Sequence, residues 1–77
     1  MNRKDILDLL EASPFEPFRI HLTGGKTFDV KDPDSAFVGP LRLTLITTPA
    51  GSKHEEERID FIGLLHIVRV EPLKQAA

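Results

Sequence analysis

The stretch from Pro14 to Lys26 constrains the fold more than any other part of the chain, because it ends a helix and starts a sheet. Ser13 precedes Pro14, and a residue before proline is biased away from helical backbone angles. From Phe18 onward apolar and polar residues alternate, and the Gly24-Gly25 pair then supplies a tight turn. The sequence therefore predicts a helix that is followed by a β-hairpin.

The first residues predict one short helix over residues 3–12. Ile6, Leu9 and Leu10 recur at i, i+3 and i+4, which gathers apolar side chains on one face of a helix. Asn2 precedes this stretch, and asparagine is a favoured N-cap because its side chain accepts a hydrogen bond from an early helical amide. The apolar face requires a packing partner elsewhere in the fold.

The length of the hairpin loop follows from which side chains must share a face. A two-residue loop at Gly24-Gly25 would place Ile20 opposite Asp29, which mixes core and solvent residues on one face. A three-residue loop instead places Ile20 opposite Phe28. We therefore predict a type I turn in which Gly25 adopts left-handed backbone angles as part of a β-bulge.

The alternation continues along the chain and predicts five strands, at residues 18–22, 26–31, 36–47, 58–62 and 67–71. Residues 63–66 are too few for an ordinary hairpin excursion and predict a single 3₁₀ turn. The predicted core consists of Ile20, Leu22, Phe28, Val30, Leu43, Leu45, Ile59, Phe61, Val68 and Val70. We expect a single domain, residues 1–77, that is mainly β with one N-terminal α-helix and forms a small five-stranded SH3-like barrel.

Composition narrows the classes of function. The chain has no cysteine, which excludes disulfides, thiolate nucleophiles and sulfur-rich zinc sites. Its formal charge of -2 gives no overall attraction to nucleic-acid phosphates, so nucleic-acid binding would depend on a local basic patch. No apolar run is long enough to cross a membrane and no signal peptide is evident, so we expect a cytoplasmic protein.

The titratable residues do not form a recognisable catalytic or metal-binding pattern. His21, His54 and His66 lack the spacing of a metal site, and Glu55 to Glu57 lacks the glycine and spacing of a calcium loop. No serine or threonine stands in a nucleophile-elbow pattern. We therefore expect neither an enzyme nor a metal or cofactor.

One charged patch is predicted on the outer face of the hairpin. Arg19 and His21 share that face with Asp29 and Lys31, and ion pairs between the strands are the simplest explanation. The alternative explanation is a binding patch, formed by Arg19, His21, Lys31, His66 and Arg69.

Residues 18–30, Phe-Arg-Ile-His-Leu-Thr-Gly-Gly-Lys-Thr-Phe-Asp-Val, and residues 66–70, His-Ile-Val-Arg-Val, carry a resemblance. The chain resembles the Sm-like family, and this resemblance implies an Sm-like barrel and RNA binding. Over most of its length it is also similar to small uncharacterised bacterial proteins with the pattern Pro-Phe-x-Pro-Phe-Arg-Ile-His-Leu, a likeness that implies no activity. Leu65 stands where the Sm pattern has a lysine, and the chain has no Tyr or Trp.

The expected function is that of a small non-catalytic binding or assembly module, with an Sm-like RNA-binding protein as the alternative. We expect a homo-oligomer, because a small barrel with strands of unequal length leaves an open backbone edge. Ile62 and Ile67 are predicted to point outward at that edge and to be buried between copies. A different protein is the alternative partner, and RNA binding would require several copies to pool Lys26, Lys31, Arg42 and Arg69.

Overall fold

The computed structural model describes residues 1–47 and 57–73. In these two ranges helix α1 spans Arg3–Glu11 and precedes six strands: β1 (Phe18–Leu22), β2 (Thr27–Val30), β3 (Ala36–Val38), β4 (Arg42–Thr47), β5 (Arg58–Gly63) and β6 (Ile67–Pro72). Short 3₁₀ turns lie at Pro33–Ser35 and, as predicted, at Leu64–His66. The fold is mainly β with one N-terminal helix, which confirms the predicted class. No helix in this part of the chain is long and apolar enough to span a bilayer.

Some sequence predictions fall on residues that the structure does not describe. These are residues 48–57, whose polar sequence rich in turn residues predicts an exposed loop and of which only Glu57 is described, and residues 74–77 of the predicted C-terminal tail. His54 and the first two residues of the triple-glutamate run therefore lie outside the described residues.

Helix α1 is anchored by its cap and by one buried side chain. The Asn2 side chain accepts a hydrogen bond from the Asp5 amide at 2.9 Å, which confirms the predicted N-cap. Ile6 is fully buried, and Leu9 and Leu10 are half-buried against the core. The predicted apolar stripe is therefore the face that packs onto the sheets.

The strands form two three-stranded antiparallel sheets, in the orders β2-β1-β6 and β3-β4-β5. Among the described residues there are six strands and no ladder joins the two sheets, so the predicted five-stranded barrel is not confirmed. The predicted strand 36–47 is in fact two strands. The Gly39 amide donates to the Arg42 carbonyl at 2.8 Å, and Pro40 between them has no amide hydrogen, so the chain reverses there into a hairpin.

The first hairpin has the predicted register but a different turn. Ile20 lies opposite Phe28, and the Gly25 amide donates to the Leu22 carbonyl at 3.0 Å. Gly24 and Gly25 have φ values of 92° and 95°. Positive φ at the third residue of the turn belongs to type II and not to the predicted type I, so both glycines, and not Gly25 alone, are required.

The core lies between the two sheets and under the helix. Its buried members are Ile6, Phe18, Ile20, Val30, Ala36, Leu43, Leu45, Ile62, Leu64 and Ile67. Four predicted core residues are among them, and Leu22, Phe28 and Val70 pack half-buried against them. The predictions for Ile59, Phe61 and Val68 are wrong, because these side chains are 59%, 62% and 61% exposed.

Strand β5 is shifted by one residue relative to the prediction. Ile62 faces the core opposite Leu43, and the alternation places Asp60 on the inner face as well. Asp60 lines an open cleft between the sheets, where its carboxylate lies 3.8 Å from the Arg58 guanidinium. Turning Asp60 inward costs little free energy, because its carboxylate stays in contact with water and a cation. The burial of Ile62 and Leu64 therefore determines which face of β5 packs on the core.

A β-bulge on β6 accounts for the exposure of Val68. His21 on β1 pairs with Arg69, but the next residue, Leu22, pairs with Ile67. Val68 is therefore an extra residue on β6 that has no partner on β1. The bulge turns Ile67 into the core and Val68 outward.

Candidate interaction surface

The outer face of the β2-β1-β6 sheet carries a row of alternating charges. In the register of the three strands, Arg19 on β1 lies between Asp29 on β2 and Glu71 on β6. In the adjacent row His21 lies beside Arg69. Opposite charges at neighbouring cross-strand positions stabilise one another.

Arg19 and Asp29 form a two-point ion pair. Arg19 Nε donates to Asp29 Oδ1 at 2.7 Å, and Arg19 Nη2 donates to Asp29 Oδ2 at 3.2 Å. The hydrogen bond from Arg19 lowers the pKa of the Asp29 carboxyl and raises the pKa of Arg19. This geometry confirms the ion pairing that the sequence predicted for the hairpin.

Glu71 accepts two donors on one oxygen. His21 Nε2 lies 2.6 Å and Arg69 Nη2 lies 3.3 Å from Glu71 Oε1. Both are donors toward the carboxylate, so the 3.2 Å approach of Arg69 Nη2 to His21 Nε2 follows from the shared acceptor. The hydrogen bond from His21, together with the charge of Arg69, lowers the pKa of Glu71.

The structure brings together three of the five predicted patch residues, Arg19, His21 and Arg69. Lys31 instead lines the cleft between the sheets, and His66 lies in the second 3₁₀ turn, where its carbonyl accepts the Thr23 amide at 2.9 Å. The charged face is largely neutralised by its own carboxylates.

Sequence reasoning missed the role of Glu71. The alternation of β6 carried the signal, since Glu71 is two residues from Arg69 and therefore on the same face of the strand.

The cleft between the sheets has a volume of about 660 Å³. Its walls include the cations Lys26, Lys31 and Arg58 and the carboxylates Asp29, Asp32 and Asp60. Three charges of each sign give no net preference for an anionic or a cationic ligand. Lys26 also lies over the ring of Phe28, 5.2 Å from its centroid.

The outer face of the β3-β4-β5 sheet differs sharply, because it is apolar and exposed. Phe37, Thr44 and Phe61 lie in one row across the three strands. Phe37 and Phe61 are 57% and 62% exposed. Two exposed phenylalanine rings therefore lie on one open sheet face, on either side of Thr44.

Ile59 and Arg42 extend this surface. Ile59 pairs with the half-buried Ile46 in the row next to Phe61. The Arg42 guanidinium stacks on the ring of Phe61, 4.4 Å from its centroid. Among the described residues no carboxylate lies within 4.0 Å of Arg42. We call Phe37, Arg42, Thr44, Ile59 and Phe61 the aromatic face.

The prediction that Ile62 and Ile67 point outward is wrong. Their side chains are only 4% and 2% exposed and belong to the core. The strands that carry them, β5 and β6, are nevertheless edge strands of the two sheets. The exposed apolar side chains of β5 are those of Ile59 and Phe61. The sequence signal was ambiguous, because Ile59, Phe61 and Ile62 give β5 apolar residues on both faces.

The described residues contain no group of three His, Cys, Asp or Glu side chains that could hold a metal ion. No known protein family, curated protein or solved structure matches the chain.

Proposed function

We propose that the protein is a non-catalytic binding or assembly module that contacts its partner through the aromatic face. The observation that carries this proposal is the exposure of Phe37 and Phe61 on the same face of one sheet. Burying a phenylalanine side chain contributes roughly 1.5–3 kcal/mol. Phe37 and Phe61 are already partly buried, so each lacks only part of that stabilisation in the isolated chain and gains it where a partner covers it.

The charged outer face of the β2-β1-β6 sheet, which carries Arg19, Asp29 and Glu71, supports a non-catalytic function. Asp29 and Glu71 both have a lowered pKa, so these carboxyls are held ionised by their neighbours. A general acid or base that works near neutral pH has its pKa moved toward 7 instead. Their ion pairs connect β1 to β2 and β6 and act structurally.

RNA binding is the second candidate, as the Sm-like resemblance implies. The observation that favours it is the stack of Arg42 on Phe61, with Phe37 two strands away. Nucleic-acid bases stack on exposed aromatic rings, and a nearby cation contacts phosphate. We rank it second because the aromatic face carries a single cation and the chain has a formal charge of -2.

Site-specific photo-cross-linking tests the proposal. A benzophenone analogue of phenylalanine is placed at position 61 in one sample and at position 65 in another, in cells that express the chain. Leu65 is the matched control because it is 91% exposed but lies outside the aromatic face. We expect a discrete adduct from position 61 and none from position 65. Equal adduct yields at the two positions would contradict the proposal.

A further inference from the structure

The free edge of strand β5 coincides with the most exposed part of the aromatic face. Among the described residues β5 has a strand neighbour only on the β4 side. The Leu64 amide donates to the Leu41 carbonyl at 2.9 Å, and in an antiparallel ladder every second residue directs its backbone groups to the partner strand. Counting back from Leu64, the residues Ile59, Phe61 and Gly63 direct their amides and carbonyls to the free edge.

We propose that a second copy of the chain pairs with this edge, β5 against β5 in antiparallel orientation. The two three-stranded sheets then become one six-stranded sheet. This inference rests on the proposed function, because it names the partner of the part of the aromatic face that lies on β5, Ile59 and Phe61. An edge amide is a template for an added strand, and here the same residues carry exposed apolar side chains that an added strand covers.

The register of this pairing follows from charge and from the length of β5. Pairing Phe61 with Phe61 of the second copy aligns Ile59 with Gly63 and uses five residues of each strand. A shift by one pair toward the N-terminus would set Asp60 directly against Asp60 of the second copy, and like charges at that position are destabilising. A shift by two pairs would leave only residues 58–60 of β5 in the ladder. The Phe61 pairing is the one that combines length with charge compatibility.

The charge of Arg42 favours pairing through the β5 edge over stacking of two aromatic faces. Face-to-face stacking would bury the Arg42 guanidinium, which has no carboxylate within 4.0 Å among the described residues. Burying an unpaired charge is costly. In the edge-paired dimer Arg42 stays at the sheet surface, in water and above Phe61.

The apolar surface available at the β5 edge determines the expected affinity of the dimer. Phe61 and Ile59 are 62% and 59% exposed. An aromatic side chain buries about 150–250 Å², so the two side chains together offer roughly 200 Å² per copy. A standard stable interface buries about 800 Å² per partner. We therefore expect a weak, concentration-dependent dimer.

Sedimentation velocity of the purified full chain, from about 10 μM to about 1 mM, measures the association. We expect the average mass to rise from that of the 8.6 kDa chain toward twice that value. Phe61→Lys should raise the dissociation constant at least about tenfold. Leu65→Lys, on a side chain that is 91% exposed and lies in the 3₁₀ turn after β5, should leave the dissociation constant unchanged. Thermal melting of each variant confirms that it is folded.

Two further variants separate the edge from the face. Phe37→Lys changes the aromatic face two strands away from the edge, so an edge-paired dimer should persist. The chain has no cysteine, so Phe37→Cys accepts a single spin label. In the six-stranded sheet the two position-37 Cα atoms are separated by five inter-strand spacings, about 24 Å. Electron–electron double resonance should report that separation, broadened by the label.

The outcomes distinguish this inference from the proposed function. A strict monomer at about 1 mM, or a dimer lost in Phe37→Lys, would overturn edge pairing. The proposed function would still stand if position 61 cross-links to a different protein, or to a second copy through the aromatic face. If position 61 gives no specific adduct and the chain is monomeric, both fail. An extended peptide from another protein at the β5 edge would also overturn the inference of a second copy.

Discussion

Arg19 and Asp29 face each other across the first hairpin and are joined by two hydrogen bonds, of 2.7 and 3.2 Å. The pair fixes the side chains of β1 and β2 on the face opposite the core. It also couples the stability of the hairpin to the ionisation of the Asp29 carboxyl, whose pKa is lowered from its ordinary value of 3.8.

The first prediction concerns the stability of the fold at low pH. The pKa values of Asp29 and Glu71 are lower in the folded chain than their ordinary values of 3.8 and 4.5. Their contribution to stability is therefore fully present above about pH 5 and is lost as the pH falls through the lowered folded pKa values. The melting temperature should drop below about pH 4.5, and Asp29→Asn should flatten that drop. Asp34→Asn is the control and should leave the acid-induced drop in place, because Asp34 is exposed and its carboxylate forms no ion pair among the described residues.

The second prediction concerns the turn. Gly25 has a φ of 95°, and a Cβ added there would have nothing within 4 Å. Gly25→Val should therefore lower the free energy of unfolding by about 1–2 kcal/mol through backbone strain alone. Gly25→Asn should cost less, because asparagine tolerates left-handed angles better. Urea denaturation measures both, and equal stability of the valine variant and wild type would refute the turn geometry.

The third prediction compares two neighbours on β5. Ile62→Ala should lower the free energy of unfolding by about 2–4 kcal/mol, because Ile62 is buried against Leu43. Phe61→Ala should cost less than about 1 kcal/mol, mainly the stacking with Arg42. Equilibrium unfolding at low protein concentration avoids any contribution from association. The reverse order of the two effects would mean that the strand presents its other face to the core.

The fourth prediction concerns RNA. We expect no tight binding of oligo-U or oligo-A at physiological salt, because the aromatic face offers one cation, Arg42. Fluorescence anisotropy of labelled oligonucleotides is the measurement, with Phe61→Leu as a variant that lacks the stacking ring. Sub-micromolar affinity that is lost in Phe61→Leu and falls steeply with salt would make RNA binding the leading function.

The sequence predicts local features where one rule acts alone. In the first hairpin, apolar side chains must share one face, which requires an odd loop length and places Ile20 opposite Phe28. The Asn2 cap follows from the ability of the asparagine side chain to accept a hydrogen bond from a helical amide. The type of the turn could not be deduced, because two consecutive glycines satisfy both type I with a bulge and type II. The split of residues 36–47 depends on whether Gly39-Pro40 bends a strand or reverses it, and only pairing with the rest of the sheet decides this.

The aromatic face could not be deduced because β5 is apolar on both faces. Alternation assigned Ile59 and Phe61 to the core on the assumption that Asp60 must face solvent. That assumption is wrong, because Asp60 lies on the inner face and is still solvated by the open cleft between the sheets. The bulge at Val68 likewise shifts β6 by one residue and cannot be read from a regular period.

The central claim is that a partner covers Phe61 when the protein acts. Hydroxyl-radical footprinting tests it most directly, by comparing the oxidation of Phe61 in dilute purified protein and in intact cells. Leu65 serves as the internal reference because it is exposed and lies outside the aromatic face. We predict strong oxidation of Phe37, Phe61 and Leu65 in the dilute protein, and protection of Phe61 relative to Leu65 in cells. A ratio of Phe61 to Leu65 oxidation that is the same in the dilute protein and in cells would contradict the account.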